Sequence, residues 1–227
     1  MGTAPTKLLL DLVLPERCAA CGRGEKAVCA ACLAGLERLH PPLCARCGMS
    51  TAWPVERCAD CAGRRLGFEA ARSAVRYEGA ARALVAAWKE RGLRRLAETA
   101  AELVVEVVPR PAVDAVAFVP GDAARTLWRG HSTAEALARE LADRWGLEVV
   151  PALARARSVP RQRGLSRAER RRNVRGAFRS AGPLPACIAL VDDVYTTGAT
   201  ASAAAAALRS AGACSVHVAT FARAVRR

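Results

Sequence analysis

Residues 187–200 read CIALVDDVYTTGAT, and this stretch decides the fold. Residues 187–191 form a continuous apolar run, which is typical of a strand buried on both faces of a parallel sheet. A short loop then leads into an alanine-rich segment that predicts a helix over 200–209. Strand, loop and helix in this order form the unit of an α/β fold, in which ligands bind at the carboxyl ends of the strands. The stretch therefore predicts an α/β domain with a ligand site directly after residue 191.

The residues after the apolar run have the chemistry of a sugar-phosphate site. Asp192 and Asp193 are acceptors that suit the two hydroxyls of a ribose diol. A loop at a helix N-terminus follows, where free amides and the helix dipole favour a phosphate. The loop residues are Thr196, Thr197, Gly198, Ala199 and Thr200. The alternatives are a metal-binding aspartate of the Walker-B type or a capped strand end, but the chain has no G-x-x-x-x-G-K-[ST] loop. The pattern thus predicts a ribose 5-phosphate pocket.

The rest of the C-terminal part alternates between strands and helices. Apolar runs predict strands over 73–77, 113–119, 147–153 and 215–221, and helices over 80–108, with a break at Gly92, and over 132–145. The arginine-rich residues 155–179 lack apolar periodicity and predict a long loop. Alternation of this kind predicts a mainly parallel sheet.

Eight of the ten cysteines form four C-x-x-C pairs near the N-terminus. They are Cys18, Cys21, Cys29, Cys32, Cys44, Cys47, Cys58 and Cys61. Eight thiolates are enough for two tetrahedral Zn²⁺ sites, with the first four residues on one ion and the last four on the other. An iron–sulfur cluster and a crossed pairing are the alternatives. Cys187 and Cys214, in contrast, are predicted to be core residues. The sequence thus divides into a zinc module with an N-terminal docking helix, over 1–66, and an α/β domain over 67–227.

The chain is strongly basic, with a formal net charge of +14 and a pI of about 10.2. Between Arg155 and Arg179 there are ten arginines and a single acid, Glu169. Such a segment can neutralise several phosphates of a nucleic acid, although its arginines would equally suit a pyrophosphate or solvent. No segment has the length of a membrane span, so we expect a cytoplasmic location.

Three further stretches carry a resemblance to a known family: RYEGAARALVAAWKERG (76–92), FVPGDAARTLWRGHSTAEALARELA (118–142) and RQRGLSRAERRRNVRGAF (161–178). Residues 188–200 resemble the motif with which type I phosphoribosyltransferases bind phosphoribosyl pyrophosphate (PRPP). Together these stretches look like the ComF family, and the likeness covers nearly the whole chain. The resemblance implies an α/β fold with a mainly parallel sheet of the type I phosphoribosyltransferase kind and a small N-terminal double zinc-ribbon module. It also implies a role in natural transformation.

The resemblance implies further site residues and partners. It makes residues 119–122, with Gly121 and Asp122, a pyrophosphate loop, and residues 155–178 a mobile loop that includes Arg161, Gln162 and Arg163. Candidate phosphate contacts are Lys89, Arg125 and Arg129. His131 is a candidate acid–base group, but residues 131–133 depart from the family pattern. Mg²⁺ would accompany PRPP, and single-stranded DNA and a membrane-associated DNA-uptake helicase would be partners. The helicase would give the protein a peripheral position at the inner membrane.

Three functions are consistent with the sequence, and none of them comes with an assigned catalytic residue. The first is a DNA-uptake protein that binds PRPP in its α/β domain and single-stranded DNA through its zinc module and basic surface. The second is an active phosphoribosyltransferase of nucleotide metabolism whose acceptor the sequence does not name. The third is a structural adaptor whose sugar-phosphate pocket is a relic.

Overall fold

This computed structural model describes residues 17–24, 26–156, 174 and 176–225, with only the backbone for 123–125. The described part of the protein contains a five-stranded sheet, a two-stranded sheet and six helices. The helices are α1 (Ala30–Ala34), α2 (Gly79–Arg91), α3 (Leu96–Val107), α4 (Ala123–Arg129), α5 (Thr133–Trp145) and α6 (Ala199–Ser210). The strands are β1 (Ala70–Arg76), β2 (Ala115–Phe118), β3 (Glu148–Val149), β4 (Leu153–Arg155), β5 (Phe178–Ser180), β6 (Cys187–Tyr195) and β7 (Ser215–Arg223).

The larger sheet has the strand order β1-β7-β6-β2-β3, and all of its neighbouring strands are parallel. Strand β6 lies at the centre, paired with β7 on one side and β2 on the other. The predicted fold class, α/β with a mainly parallel sheet, is therefore confirmed. The carboxyl end of β6 lies between two neighbouring strand ends, where a parallel sheet leaves room for a ligand.

The sheet has a core on each of its faces. Helices α2, α3 and α5 pack on one face, around large buried side chains such as Trp88 and Leu137. Helix α6 packs on the other face, together with Cys44, Cys47, Cys61 and Phe68. Part of the zinc module therefore belongs to the core of the α/β domain.

The zinc module also covers the edge of the sheet at β1. The amide of Leu39 donates to the carbonyl of Ala74 at 2.8 Å, and the amide of Ala71 donates to that of Arg46 at 3.0 Å. An edge strand whose backbone groups are paired in this way is not free to pair with another chain. The division of the chain at residues 66 and 67 remains a prediction, and the docking helix over 8–14 lies outside the described residues.

Several predicted boundaries are confirmed. Gly92 ends α2 with a φ of 67°, and Ser132 caps α5, where its hydroxyl accepts from the amide of Glu135 at 3.3 Å. Other boundaries were wrong. Pro151 divides the predicted strand 147–153 between β3 and β4, because proline has no amide for a sheet ladder. Strands β4 and β5 pair at the two ends of the predicted loop 155–179.

Two cysteines and one helix also differ from the prediction. Cys187 is half-buried and Cys214 is exposed, so neither is a core residue. The short helix α4 was not predicted, since its sequence lacks an apolar stripe long enough to show a helical period. In the described part of the chain no helix is long and apolar enough to cross a membrane.

Candidate functional site

The predicted sugar-phosphate motif begins inside β6 and not after it. The strand continues through both aspartates to Tyr195, which pairs with Arg223 of β7. Gly198 follows in a left-handed conformation, with a φ of 70°, and is the N-cap of α6. The hydroxyl of Thr197 accepts from the amide of Ala199 at 3.3 Å. A tight loop therefore connects the central strand directly to a helix N-terminus, which is the arrangement expected for phosphate binding.

Asp193 of β6 is buried and has one partner from each of two helices. Lys89 of α2 lies with its Nζ 2.6 Å from Oδ1, and the hydroxyl of Thr133 of α5 donates to Oδ2. Burial alone would lower the pKa of Lys89, but the charge of Asp193 outweighs it and raises the pKa above its ordinary value. Asp193 thus links the central strand to helices α2 and α5.

Asp192 is only partly buried and lines a cavity of about 330 Å³ at the carboxyl edge of the sheet. Its Oδ1 accepts from the amide of Asp193 at 2.9 Å. Burial and the like charge of Asp193 raise its pKa from the ordinary 3.8 to about 7. Of the two aspartates, Asp192 is therefore the one whose carboxyl group is available to a ligand.

The cavity brings together most of the predicted contact residues, and its volume falls within the usual range for small-molecule sites. The predicted residues that line it are Lys89, Gly121, Asp122, Arg129, Asp192, Asp193, Thr196 and Thr200. Thr197, Gly198 and Ala199 do not line it but form the turn behind it. The side chain of Arg125 and residues Arg161, Gln162 and Arg163 lie outside the described part of the chain. The assignment of these residues to a ligand remains a prediction.

Two cationic side chains lie in this cavity beside the predicted pyrophosphate loop. The Nε of Arg129 is buried and has no hydrogen-bond partner among the described residues. Arg155, which the sequence did not single out, donates from Nε to the carbonyl of Pro120 at 3.0 Å. The sequence also missed Thr133, which directly follows the N-cap residue Ser132. Its contact with Asp193 depends on tertiary structure.

His131 lies at the same cavity but is occupied by backbone contacts. Its Nδ1 is 3.0 Å from the carbonyl oxygen of Arg129, and its Nε2 is 2.8 Å from that of Trp88. The ring therefore connects α2 to the turn after α4. A positioning role explains these contacts better than acid–base chemistry.

The eight predicted ligand cysteines form two clusters in consecutive order. The first cluster contains Cys18, Cys21, Cys29 and Cys32, and the second contains Cys44, Cys47, Cys58 and Cys61. Within each cluster all sulfur atoms lie within 4.8 Å of one another. Four sulfurs around Zn²⁺ at about 2.3 Å would be about 3.8 Å apart. The separations of 3.7 Å between Cys21 and Cys29 and 3.6 Å between Cys44 and Cys61 fit this geometry.

A second, larger cavity of about 860 Å³ lies between the zinc module, α6 and strand β5. Its floor is made of small alanine and serine side chains from α6. Arg64 and Arg65 of the zinc module and Arg179 of β5 also line it. This groove is therefore open and basic, whereas the carboxyl-edge cavity contains both acids and bases.

Comparisons with known proteins cover both parts of the chain. Residues 9–62 match the double zinc ribbon domain. Over 203 residues the chain is 28% identical to the DNA utilization protein YhgH of Salmonella typhi. The match covers 84% of this chain and 88% of that protein. Over 215 residues it is 28% identical to competence protein F of Haemophilus influenzae. This match covers 88% of the present chain and 92% of competence protein F.

Among solved structures, the glutamine PRPP amidotransferase of B. subtilis, complexed with ADP and GMP, matches with a TM-score of 0.38 and 25% identity. The match covers 56% of this chain, which spans only about 25% of the length of that enzyme. The two relatives, in contrast, match most of this chain and most of their own length. With its double zinc ribbon and its α/β domain in this order, the chain is similar over most of its length to a DNA utilization protein and to a competence protein.

Proposed function

We propose that this protein binds PRPP with Mg²⁺ at the carboxyl edge of its sheet and handles single-stranded DNA in natural transformation. The observation that supports the first part is the partly buried carboxyl group of Asp192 beside the loop that begins α6. Asp192 would accept from the ribose hydroxyls, and the loop amides would bind the 5-phosphate. Mg²⁺ would be bound mainly by pyrophosphate and ribose oxygens, which are the hard ligands it prefers.

Calorimetric titration of PRPP with Mg²⁺ tests the pocket. Asp192→Asn should weaken binding by about tenfold or more, because it replaces a charged acceptor with an amide. Asp143→Asn, an exposed aspartate on α5, is the matched control and should bind like the wild type. Equal affinity of the Asp192 variant and the wild type would contradict the ribose assignment.

The DNA part of the proposal is supported by the basic groove beside the zinc module. Arg65 and Arg179 can contact phosphates of a single strand, and serines of α6 can donate hydrogen bonds to them. Each lost phosphate contact should reduce the slope of log K against log salt concentration by about 0.7 for single-stranded DNA. The names of the relatives, a DNA utilization protein and a competence protein, favour DNA as the polyanion.

Fluorescence anisotropy with a labelled oligonucleotide at several salt concentrations tests the groove. Arg65→Gln and Arg179→Gln should each lower the affinity and the salt slope. Arg110→Gln, at an exposed arginine after α3, is the control and should change neither. An affinity that does not vary with salt would contradict phosphate binding.

Catalysis by a phosphoribosyltransferase mechanism is the second candidate function. The buried Nε of Arg129, which has no partner among the described residues, favours it, because a cation in the carboxyl-edge cavity can stabilise a departing pyrophosphate. Incubation of the protein with PRPP, Mg²⁺ and a panel of nucleobases would detect pyrophosphate release. No release above the rate of the Asp192→Asn variant would leave binding as the function of the site.

A further inference from the structure

The second cysteine cluster is part of the core of the α/β domain. Cys44, Cys47 and Cys61 have exposed fractions of 0%, 1% and 1% and pack in the core that contains Phe68 and Tyr195. Tyr195 is the last residue of β6, directly before the predicted phosphate loop (residues 196–200). The metal site and the loop therefore contact the same group of buried side chains.

Arg223 connects the cluster to Tyr195. It is almost fully buried, donates to the carbonyl of Cys47 and has its Nη2 3.5 Å from the sulfur of the same residue. Its guanidinium carbon lies 4.3 Å from the centre of the Tyr195 ring. Four thiolates around Zn²⁺ have a net charge of about −2, which a buried guanidinium can partly neutralise. Arg223 is thus placed to compensate the loaded metal site while it packs on the aromatic ring.

The ring of Tyr195 in turn supports the turn of the phosphate loop. Gly198 packs so closely on this ring that a methyl group at its Cα would overlap the Tyr195 hydroxyl. Phe68 packs on the ring from another side, edge to face, at 6.2 Å between centres. The ring therefore has little room to move independently of the loop.

Arg64 makes a second connection, outside the core. Its Nη1 donates to the carbonyl of Asp60 at 3.1 Å, between the ligands Cys58 and Cys61. Its Nη2 donates to the carbonyl of Thr197 at 2.8 Å. A single planar guanidinium thus joins the metal-binding turn to the phosphate loop, and its geometry depends on the position of both.

We infer that metal occupancy of the second cysteine cluster sets the conformation of the phosphate loop, with Arg64 and Arg223 as positioning residues. The first cluster has no such contact with the loop among the described residues. The identity of the ligand that binds this loop rests on the proposed function. The coupling between the metal site and the loop does not depend on that ligand. Coupling of this kind is reciprocal, so a phosphate ligand should also raise the affinity of the second cluster for zinc.

Hydrogen exchange of the full-length protein, read by mass spectrometry over residues 196–200, tests the inference without any ligand. Cys58→Ser and Cys29→Ser change one half-buried ligand in the second and first cluster, respectively. Each should lower the zinc content by one ion per chain. Cys58→Ser should accelerate loop exchange by about tenfold, because amide exchange reports local opening. Cys29→Ser should leave it within about twofold of the wild type. Equal acceleration by both variants would overturn the inference.

Arg64→Gln tests the same coupling with both metal sites intact. This variant should retain its zinc and still accelerate exchange in the loop, whereas Arg110→Gln should not. It remains decisive if Cys58→Ser does not fold, since identical exchange in the two arginine variants would overturn the positioning role. PRPP titrations then separate the two proposals. If PRPP fails to bind the wild type, the proposed function is wrong, while the exchange result still decides the coupling.

Discussion

The two cysteine clusters each consist of four cysteines in two C-x-x-C pairs, yet they join the α/β domain differently. In the first cluster Cys18 alone is buried and Cys21 is exposed, and contact with the core around α2 and α3 comes from Ala19, Val28 and the half-buried Cys32. In the second cluster the ligands Cys44, Cys47 and Cys61 themselves lie in the core. Identical coordination chemistry can therefore serve a peripheral module or the interior of a domain, depending on which atoms are buried.

The largest expected effect is a difference in stability between the two clusters. Cys47→Ser should lower the free energy of unfolding by at least about 3 kcal/mol, because it disrupts a structural metal site and leaves the buried charge of Arg223 without its partner. Cys21→Ser, at an exposed ligand, should cost less than half as much. Urea unfolding followed by circular dichroism, with zinc content measured in parallel, gives both values. Equal losses would show that burial of the ligands does not distinguish the clusters.

The sequence predicted the clusters but not this difference between them. The spacing of the C-x-x-C pairs predicted all eight ligands, with a crossed pairing as an alternative, and the structure groups them in consecutive order. Their burial depends on contacts with Phe68 and Tyr195, and Tyr195 is far away in the chain. The repeat pattern of the cysteines contains no signal for such contacts, since the same knuckle can lie on a surface or in a core.

The next effect concerns Arg223, which connects the second cluster to the sheet. Arg223→Met should cost about 2–4 kcal/mol, because it removes a buried cation and leaves the Cys47 carbonyl without its donor. Arg209→Met is the control. Arg209 pairs with Glu69 at 3.0 Å on the surface, with exposed fractions of 42% and 45%, and such pairs contribute about 1 kcal/mol or less. Thermal unfolding of both variants measures the difference, and similar melting temperatures would contradict a central role for Arg223.

The aspartate pair shows the same limit of sequence reasoning on the pocket side. The apolar run correctly predicted the start of β6, but the strand was expected to end before Asp192 and in fact ends at Tyr195. Charged residues usually mark the end of a buried strand. Asp193 is an exception because Lys89 and Thr133 satisfy its carboxylate, and they come from distant parts of the chain.

A smaller effect is expected at Gly198, where the second cluster, through Tyr195, meets the loop. Gly198→Ala should cost about 2–3 kcal/mol, because it adds a clash with the Tyr195 ring to the strain of a positive φ. Gly63→Ala is the matched control. Gly63 has a φ of 69° but open space around its Cα, so that the strain of about 1–2 kcal/mol remains alone. Chemical denaturation of the two variants separates clash from strain, and equal costs would show that the ring can move away.

The smallest effect is a pH dependence that belongs to the pocket and not to either cluster. The pKa of Asp192 is about 7 in the folded protein and 3.8 ordinarily, so between these values the folded state retains a proton that the unfolded state releases. The stability that this group contributes is therefore present at low pH and is lost as pH rises towards 7. Asp192→Asn cannot titrate. Its melting temperature relative to the wild type should consequently increase from pH 5 to pH 8.

The control for this titration is Asp143→Asn, whose exposed side chain lies outside the pocket. Its melting temperature should follow that of the wild type at every pH, whereas the curve of the Asp192 variant should diverge. A constant offset between the Asp192 variant and the wild type would mean that the carboxyl group is already ionised in the folded protein at pH 5. In that case Asp193 would not impose its charge on Asp192, and Lys89 would neutralise the pair as a whole.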